Sequence, residues 1–448
     1  MKVDIVAKEI IKPSSPTPDN LRSFKLSLFD QLAPAVYGPM IFFYPNGDTT
    51  HHAFLADQQS HHLKKSLADT LTRFFPLAGR IKDNFTIDCN DYGVGCVEAR
   101  VNCLLSEILE HLDLEALNQF LPFELDSTES STDSLILVQS TFFNCDGVAI
   151  GVGLSHKLTD GATYGTFLKG WSATALGVGD TVVPLFNASS LFPPRNLSTM
   201  TSMALNFSKE KCVLRRLVFA APKIDALKAI TASPGVQNPT RAEAVTALIW
   251  KCALNAARSN SRILRPSLLS QSVNLRSQIV PPLPENTIGN LGAHISARKD
   301  ESEIELQGLV REIRRGKQDF SKKYVKKLQD DAFKAITETF KEAVSMFKSR
   351  DIEFYKLTNM SNFPFYEIDF GWGKPTWVTI SGATLKNLVK LMDSREGDGS
   401  IEALVILSEK DMTLFECDKE LLAYASLNPS LLKLNPMRPM TPLLTSSL

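Results

Sequence analysis

Among seven histidines in 448 residues, the one whose neighbours suggest chemistry is His156, in Ser155-His156-Lys157-Leu158-Thr159-Asp160-Gly161. Imidazole titrates near ~6.5 and can take the proton of an attacking hydroxyl at neutral pH, a step worth roughly 10²–10⁴-fold. To do so it must hold one tautomer, which a hydrogen bond at the other ring nitrogen fixes. Asp160 offers itself as that partner. It also stands just before an apolar helical run, where a carboxylate caps free helix amides, so its position favours organising the turn over relaying a proton. A core histidine satisfied by its own hydrogen bonds matches the same spacing, and the string alone leaves both readings open.

The elements around His156 sharpen the choice. Leu135–Phe143 and Val148–Ser155 read as two strands joined by Asn144-Cys145-Asp146-Gly147, a hairpin. Val148, Ile150, Val152 and Leu154 share one face with the parity of His156. The opposite face, Ala149, Gly151, Gly153 and Ser155, is small enough to let another backbone or a ligand approach closely. Tyr164, Phe167, Leu168, Trp171 and Ala175 then follow at helical spacing. His156 is thus predicted at a strand end, in a tight turn before a helix.

Strand-like and helix-like segments alternate along the chain, which predicts an α/β architecture of more than one domain at this length. Leu63, Leu67, Leu71 and Phe74 form a helical stripe that Phe75-Pro76-Leu77-Ala78-Gly79-Arg80 stops. Residues 176 to 216 are rich in Pro, Ser, Asn and Thr without sustained periodicity, the composition of an interdomain crossover. Thr240-Arg241-Ala242-Glu243 has the form of a capping box opening a helix with Val245, Leu248, Ile249 and Cys252 on its apolar face. Ser302-Glu303-Ile304-Glu305 repeats that signal, and Ile401–Leu407 reads as a buried strand.

Lys+Arg and Asp+Glu balance at 49 each, so no global field draws nucleic acid or an anionic membrane, and an anionic ligand needs a local basic pocket. No apolar run reaches the roughly 20 residues of a membrane span, and no secretory h-region is evident. Seven scattered cysteines without a C-x-x-C pair argue against a disulfide framework, and the expected compartment is the cytoplasm. His51, His52, His61 and His62 are dense but lack ligand-like Cys or carboxylates around them. They are expected on a solvated face, with no metal.

A second motif, Asp369-Phe370-Gly371-Trp372-Gly373-Lys374-Pro375, follows far downstream. With His156 and Asp160 it resembles the BAHD acyltransferases, a plant family marked by H-x-x-x-D and D-F-G-W-G in this order. Phe75–Arg80, Asn274-Leu275-Arg276-Ser277 and Gly289-Asn290 match further family segments, so the resemblance covers essentially the whole chain. Ile11–Pro18 and Asp30-Gln31-Leu32 look most like the members that acetylate alkaloids and terpenoids. The resemblance implies a chloramphenicol acetyltransferase-like fold: two domains (1–185 and 217–448), each a mixed β-sheet with helices, joined by a crossover (186–216) and enclosing a central channel. It implies a monomer that carries acyl-CoA, acetyl-CoA foremost, as co-substrate with no resident cofactor. The acceptor would be a hydrophobic small-molecule alcohol or amine.

By the same resemblance His156 is the base of a ternary complex without an acyl-enzyme, Asp160 pairs with Arg276, and Asp369 is a further catalytic candidate. The residues themselves favour a structural Asp369: Gly371 and Gly373 suit a sharp turn, and Trp372 is a packing anchor. Coenzyme A contacts are expected at Thr240 and Arg241, where helix amides favour anions, and then at Ser381 and Gly382, with a plain cap or turn as the other reading of each. Thr358 is the oxyanion candidate. In this segment the chain carries Met360, which cannot replace the indole N–H of the family's Thr-Ser-Trp run. N-acylation, acyl-CoA hydrolysis and a non-catalytic ligand-binding role are the rival readings.

Overall fold

The computed structural model describes residues 1–45, 56–124, 133–197, 210–300, 304–349, 351–382, 385–395 and 397–434. Its fold rests on two mixed sheets. The first has six strands in the order Val3–Ile11, Val94–Val101, Ile136–Phe143, Val148–Ser155, Tyr37–Tyr44 and Trp377–Thr379. Only the Val94–Val101/Ile136–Phe143 pair is parallel. The predicted hairpin is present, with Asp146 at φ 57° in its turn. Helix Ala56–Arg73 buries Leu63, Leu67 and Leu71, and Gly161–Ala175 buries Tyr164, Phe167, Leu168 and Trp171, as their spacing predicts.

The small face beside His156 is covered by the chain itself, the Phe120 backbone over Gly151 and the Phe123 ring over Gly153. A Cβ added to Gly151 would lie 1.9 Å from the Phe120 carbonyl oxygen, so the short helix Ala116–Phe120 can seat only on a bare strand.

The second sheet has seven strands in the order Gly292–Lys299, Ser267–Asn274, Glu353–Asn359, Leu388–Asp393, Ile401–Ser408, Cys212–Phe219 and Ser426–Leu427. Alternation gives each face a separate job. Tyr355, Leu357, Val389, Leu391, Ala403 and Val405 join the core under helix Arg241–Ser261. Leu388, Met392, Leu404 and Ile406 join the core of the first sheet instead. One face of the second sheet therefore closes onto the first domain.

Two features depart from the expected division of the chain. Strand Cys212–Phe219 begins inside the stretch read as crossover, because Arg216 interrupts its apolar pattern. That guanidinium is fully buried and clasps Glu402 through two bonds of 2.7 Å, which a hydropathy pattern does not reveal. Strand Trp377–Thr379, distant in sequence, adds to the edge of the first sheet. Trp377 stacks on Phe43 and donates from Nε1 to Glu402 (3.3 Å), tying the two sheets together.

Helix Leu306–Asp319 buries Leu309, Val310 and Ile313, whereas Ser302 and Glu303 of its expected cap lie outside the described residues, as do 198–209 of the crossover. No described helix is long and apolar enough to cross a membrane. A Gly151→Ala variant should lose about 1–3 kcal/mol or more in denaturant unfolding, because the Phe120 backbone has to move.

Candidate active site

His156 sits where the strand Val148–Ser155 ends, its backbone N–H bonded to the Val36 carbonyl at 2.8 Å. Asp160 is the N-cap of the following helix: its Oδ1 accepts from the Thr163 N–H at 2.8 Å. The same carboxylate accepts from Arg276 Nη1 (2.7 Å) and Nη2 (3.2 Å) and from the Leu291 N–H (2.9 Å). It therefore turns away from the imidazole. The Arg276 side chain, wholly buried, also donates to the Thr287 and Gly289 carbonyls and the Asn274 side chain.

The partner of the imidazole is Asn290. Its Oδ1 lies 3.1 Å from His156 Nδ1, while its Nδ2 donates to the His156 carbonyl (2.7 Å) and to Asp30 Oδ1 (3.1 Å). Both of those contacts are pure acceptors, so the amide is oriented and its oxygen must face the ring. Nδ1 then carries the hydrogen and Nε2 presents its lone pair, a tautomer assigned from this network.

Asp30 completes the support. It closes a capping box with Ser27 and accepts from the Asn290 N–H at 2.7 Å. Burial raises its carboxyl pKa, against hydrogen bonds from Ser27 and Asn290 that favour the anion. Beside it, Lys157 Nζ holds the Gln31 and Ala33 carbonyls at 3.1 and 3.0 Å. Neither Asn290 nor Asp30 was singled out for a catalytic part from the sequence. The Ser27-x-x-Asp30 spacing is the one local signal for Asp30; Asn290 meets His156 only through the tertiary fold.

Burial lowers the His156 pKa below 6.5, and the charge of Lys356 lowers it further, against the Asn290 hydrogen bond and the charge of Asp160. The imidazole is thus a neutral acceptor across physiological pH.

The other expected residues fall elsewhere. Asp369 Oδ1 accepts from the Gly371 and Gly373 amides (2.8 and 3.0 Å), closing a turn whose glycines stand at φ 107° and 102°. Its main chain is clasped by Ser172 Oγ, and Phe370 and Trp372 pack on Tyr44. Neither carboxylate meets the imidazole: Asp160 is engaged by Arg276 and the Thr163 and Leu291 amides, and Asp369, a catalytic candidate by resemblance, by the glycine amides of its own turn.

Thr240 caps its helix through the Glu243 N–H, and Arg241 bonds the Gly399 carbonyl (2.7 Å) and faces Asp393 at 3.6 Å. Ser381 bonds the Asn118 side chain, and Gly382 sits at φ 101°. Thr358 lies in register with Lys390, on the sheet face turned to the first domain. Of the histidine cluster, His51 and His52 lie outside the described residues and His61 is exposed. His62, expected in solvent, instead rests its ring on Trp372, with centroids 6.1 Å apart. No group of three or more potential metal ligands occurs among the described residues.

A model described as the Transferase family matches residues 1–422. Akuammiline synthase 1 of Alstonia scholaris is 40% identical, over 94% of this chain and 97% of its own. An epi-neemfruitin B 7-O-acetyltransferase of Melia azedarach is 38% identical, over 96% of this chain and 100% of its own. The crystal structure of vinorine synthase superposes with a TM-score of 0.83 at 35% identity, covering 95% of this chain and 99% of that one.

Replacing Asp160 by Ala should cost about 3–5 kcal/mol in equilibrium unfolding, since it strands a buried guanidinium. Asp160→Asn, which keeps one acceptor oxygen, should cost less.

Proposed function

This chain belongs to the Transferase family, the BAHD acyltransferases, and on that premise we propose that His156 is the base by which it acylates a hydroxyl of an alkaloid or terpenoid. Acyltransfer from an acyl-CoA is the family's reaction. Acetyl-CoA is the donor we assign, in keeping with the acetyltransferase named among the relatives.

The observation that carries the reading is the oriented amide of Asn290, which leaves His156 Nε2 as a fixed, neutral acceptor. Nε2 takes the proton of the acceptor hydroxyl as its oxygen attacks the thioester carbonyl. The tetrahedral oxyanion collapses, the C–S bond breaks, and the imidazolium returns the proton to the departing sulfur. Atoms and charges balance within one ternary complex, and no acyl-enzyme is required. We assign Thr358 as a hydrogen-bond donor to the oxyanion. Asp160 and Arg276 hold the turn, and Asp369, Gly371, Trp372 and Gly373 hold the wall behind it. Thr240, Arg241, Ser381 and Gly382 are assigned to coenzyme A. Their present contacts are a helix cap, a carbonyl, an amide side chain and a turn, and the assignment rests on their places at a helix start and a strand end.

The test offers the purified chain acetyl-CoA with alkaloid and terpenoid alcohols and follows thiol release together with product mass. His156→Ala should lower turnover at least ~10²-fold; full transfer by that variant sinks the proposal. Asn290→Ala should lower kcat more than it changes KM, because it frees the tautomer while leaving the binding surfaces in place.

The pH profile offers a second check. The His156 pKa is depressed, so its neutral form persists below pH 6.5, and kcat/KM should stay level until the pH falls below that value. An acid limb centred above 6.5 would contradict this.

A further inference from the structure

One face of the second sheet carries two lysines to which the proton transfer above gives no ligand, Lys356 acting there only through its charge on the His156 ring. Lys356 lies on Glu353–Asn359 and Lys390 on Leu388–Asp393. The parallel register sets Lys356 beside Leu388 and Thr358 beside Lys390, so all four share a face. That face is the one whose Leu388, Met392, Leu404 and Ile406 meet the first domain. His294 belongs to the same surface through Ser272, and Lys356 through Ser270, by their registers with Ser267–Asn274.

Both residues are half-buried, and neither ammonium group has a hydrogen-bond or ion-pair partner among the described residues. His294 Nδ1 is buried and equally without a partner. Glu402, the carboxylate on this face, is already held by Arg216, and Asp160 beside His156 by Arg276. Enclosing two like charges without a counter-ion is unfavourable, and structures retain such an arrangement where a ligand brings the opposite charge.

We propose that Lys356 and Lys390 form a subsite for a carboxylate carried by one of the substrates, held across from His156. This rests on acyl transfer at His156, but not on acetyl-CoA being the donor.

Electrostatics agree with the placement. Burial lowers the Lys356 pKa, and burial with the charge of Lys356 brings Lys390 to about 8. Burial, Lys356 and His156 take His294 to about 4. These groups are close enough to feel one another and the catalytic ring. The phosphates of coenzyme A are excluded as the natural occupant, because the pantetheine arm separates them from the sulfur that must reach His156. The carboxylate therefore belongs to the acceptor, or to the far end of a dicarboxylic acyl group.

Isothermal titration calorimetry on the full chain separates these sources. One arm compares malonyl-CoA with acetyl-CoA. The other compares 4-(hydroxymethyl)benzoate with benzyl alcohol in the presence of coenzyme A. In one arm the carboxylate probe should bind at least about tenfold more tightly, and Lys356→Met/Lys390→Met should erase that advantage. The arm that responds identifies the substrate. Each single substitution is measured beside the double, so that a folding defect at one position leaves the other readable. No carboxylate preference in either arm, or one that survives both substitutions, overturns the subsite. Binding needs no turnover, so a failure of His156 as base, read by thiol release, stays distinct from a failure of the lysines.

Discussion

A guanidinium without access to water must spend every donor it has, and Arg276 does so on groups from several distant parts of the chain. Its bonds to Asp160 and Thr163 fix the turn after His156. Its bonds to Thr287 and Gly289 fix the segment that delivers Asn290. The two sides of the imidazole, the turn that carries it and the amide that orients it, are thus set by one buried cation. The cost of leaving that cation unpaired is what makes the geometry hard to relax.

The second layer of control is electrostatic. Asp30 is a buried carboxylate hydrogen-bonded by the neutral donors of Ser27 and Asn290, and it reaches the ring only through Asn290. Lys356 pushes the other way and keeps the imidazole from binding a proton too readily. A base that stays neutral while holding a fixed tautomer needs both influences: one group to orient it and a field that discourages its charging.

Much of this was legible in the sequence. The strand before His156, the helix after it and the capping role of Asp160 follow from alternation, helical spacing and cap chemistry, which are local. The Asp160–Arg276 pair came from family resemblance rather than from residue spacing, since spacing says nothing about a partner that distant. Asn290 and Asp30 stayed hidden as members of the site for the same reason: Asn290 meets His156, and Asp30 meets Asn290, only through tertiary packing. Arg216 misled in the opposite sense, because its charge masks a buried strand whose partner, Glu402, lies far along the chain. Lys356 and Lys390 carry no mark in the sequence, because only strand register places them on one wall.

The late strand Trp377–Thr379 has a consequence for synthesis on the ribosome. Tyr37–Tyr44 is paired on one side by Val148–Ser155, and its other side waits for residues made far later. At about 5–20 residues per second, that interval is on the order of tens of seconds. Throughout it the nascent first sheet exposes an apolar edge containing Ile41, Phe42 and Phe43, the kind of edge on which chains aggregate. Chaperone occupancy of the nascent chain should therefore persist until the D-F-G-W-G segment and the strand behind it have emerged, and a chain cut between its two halves would keep that edge open.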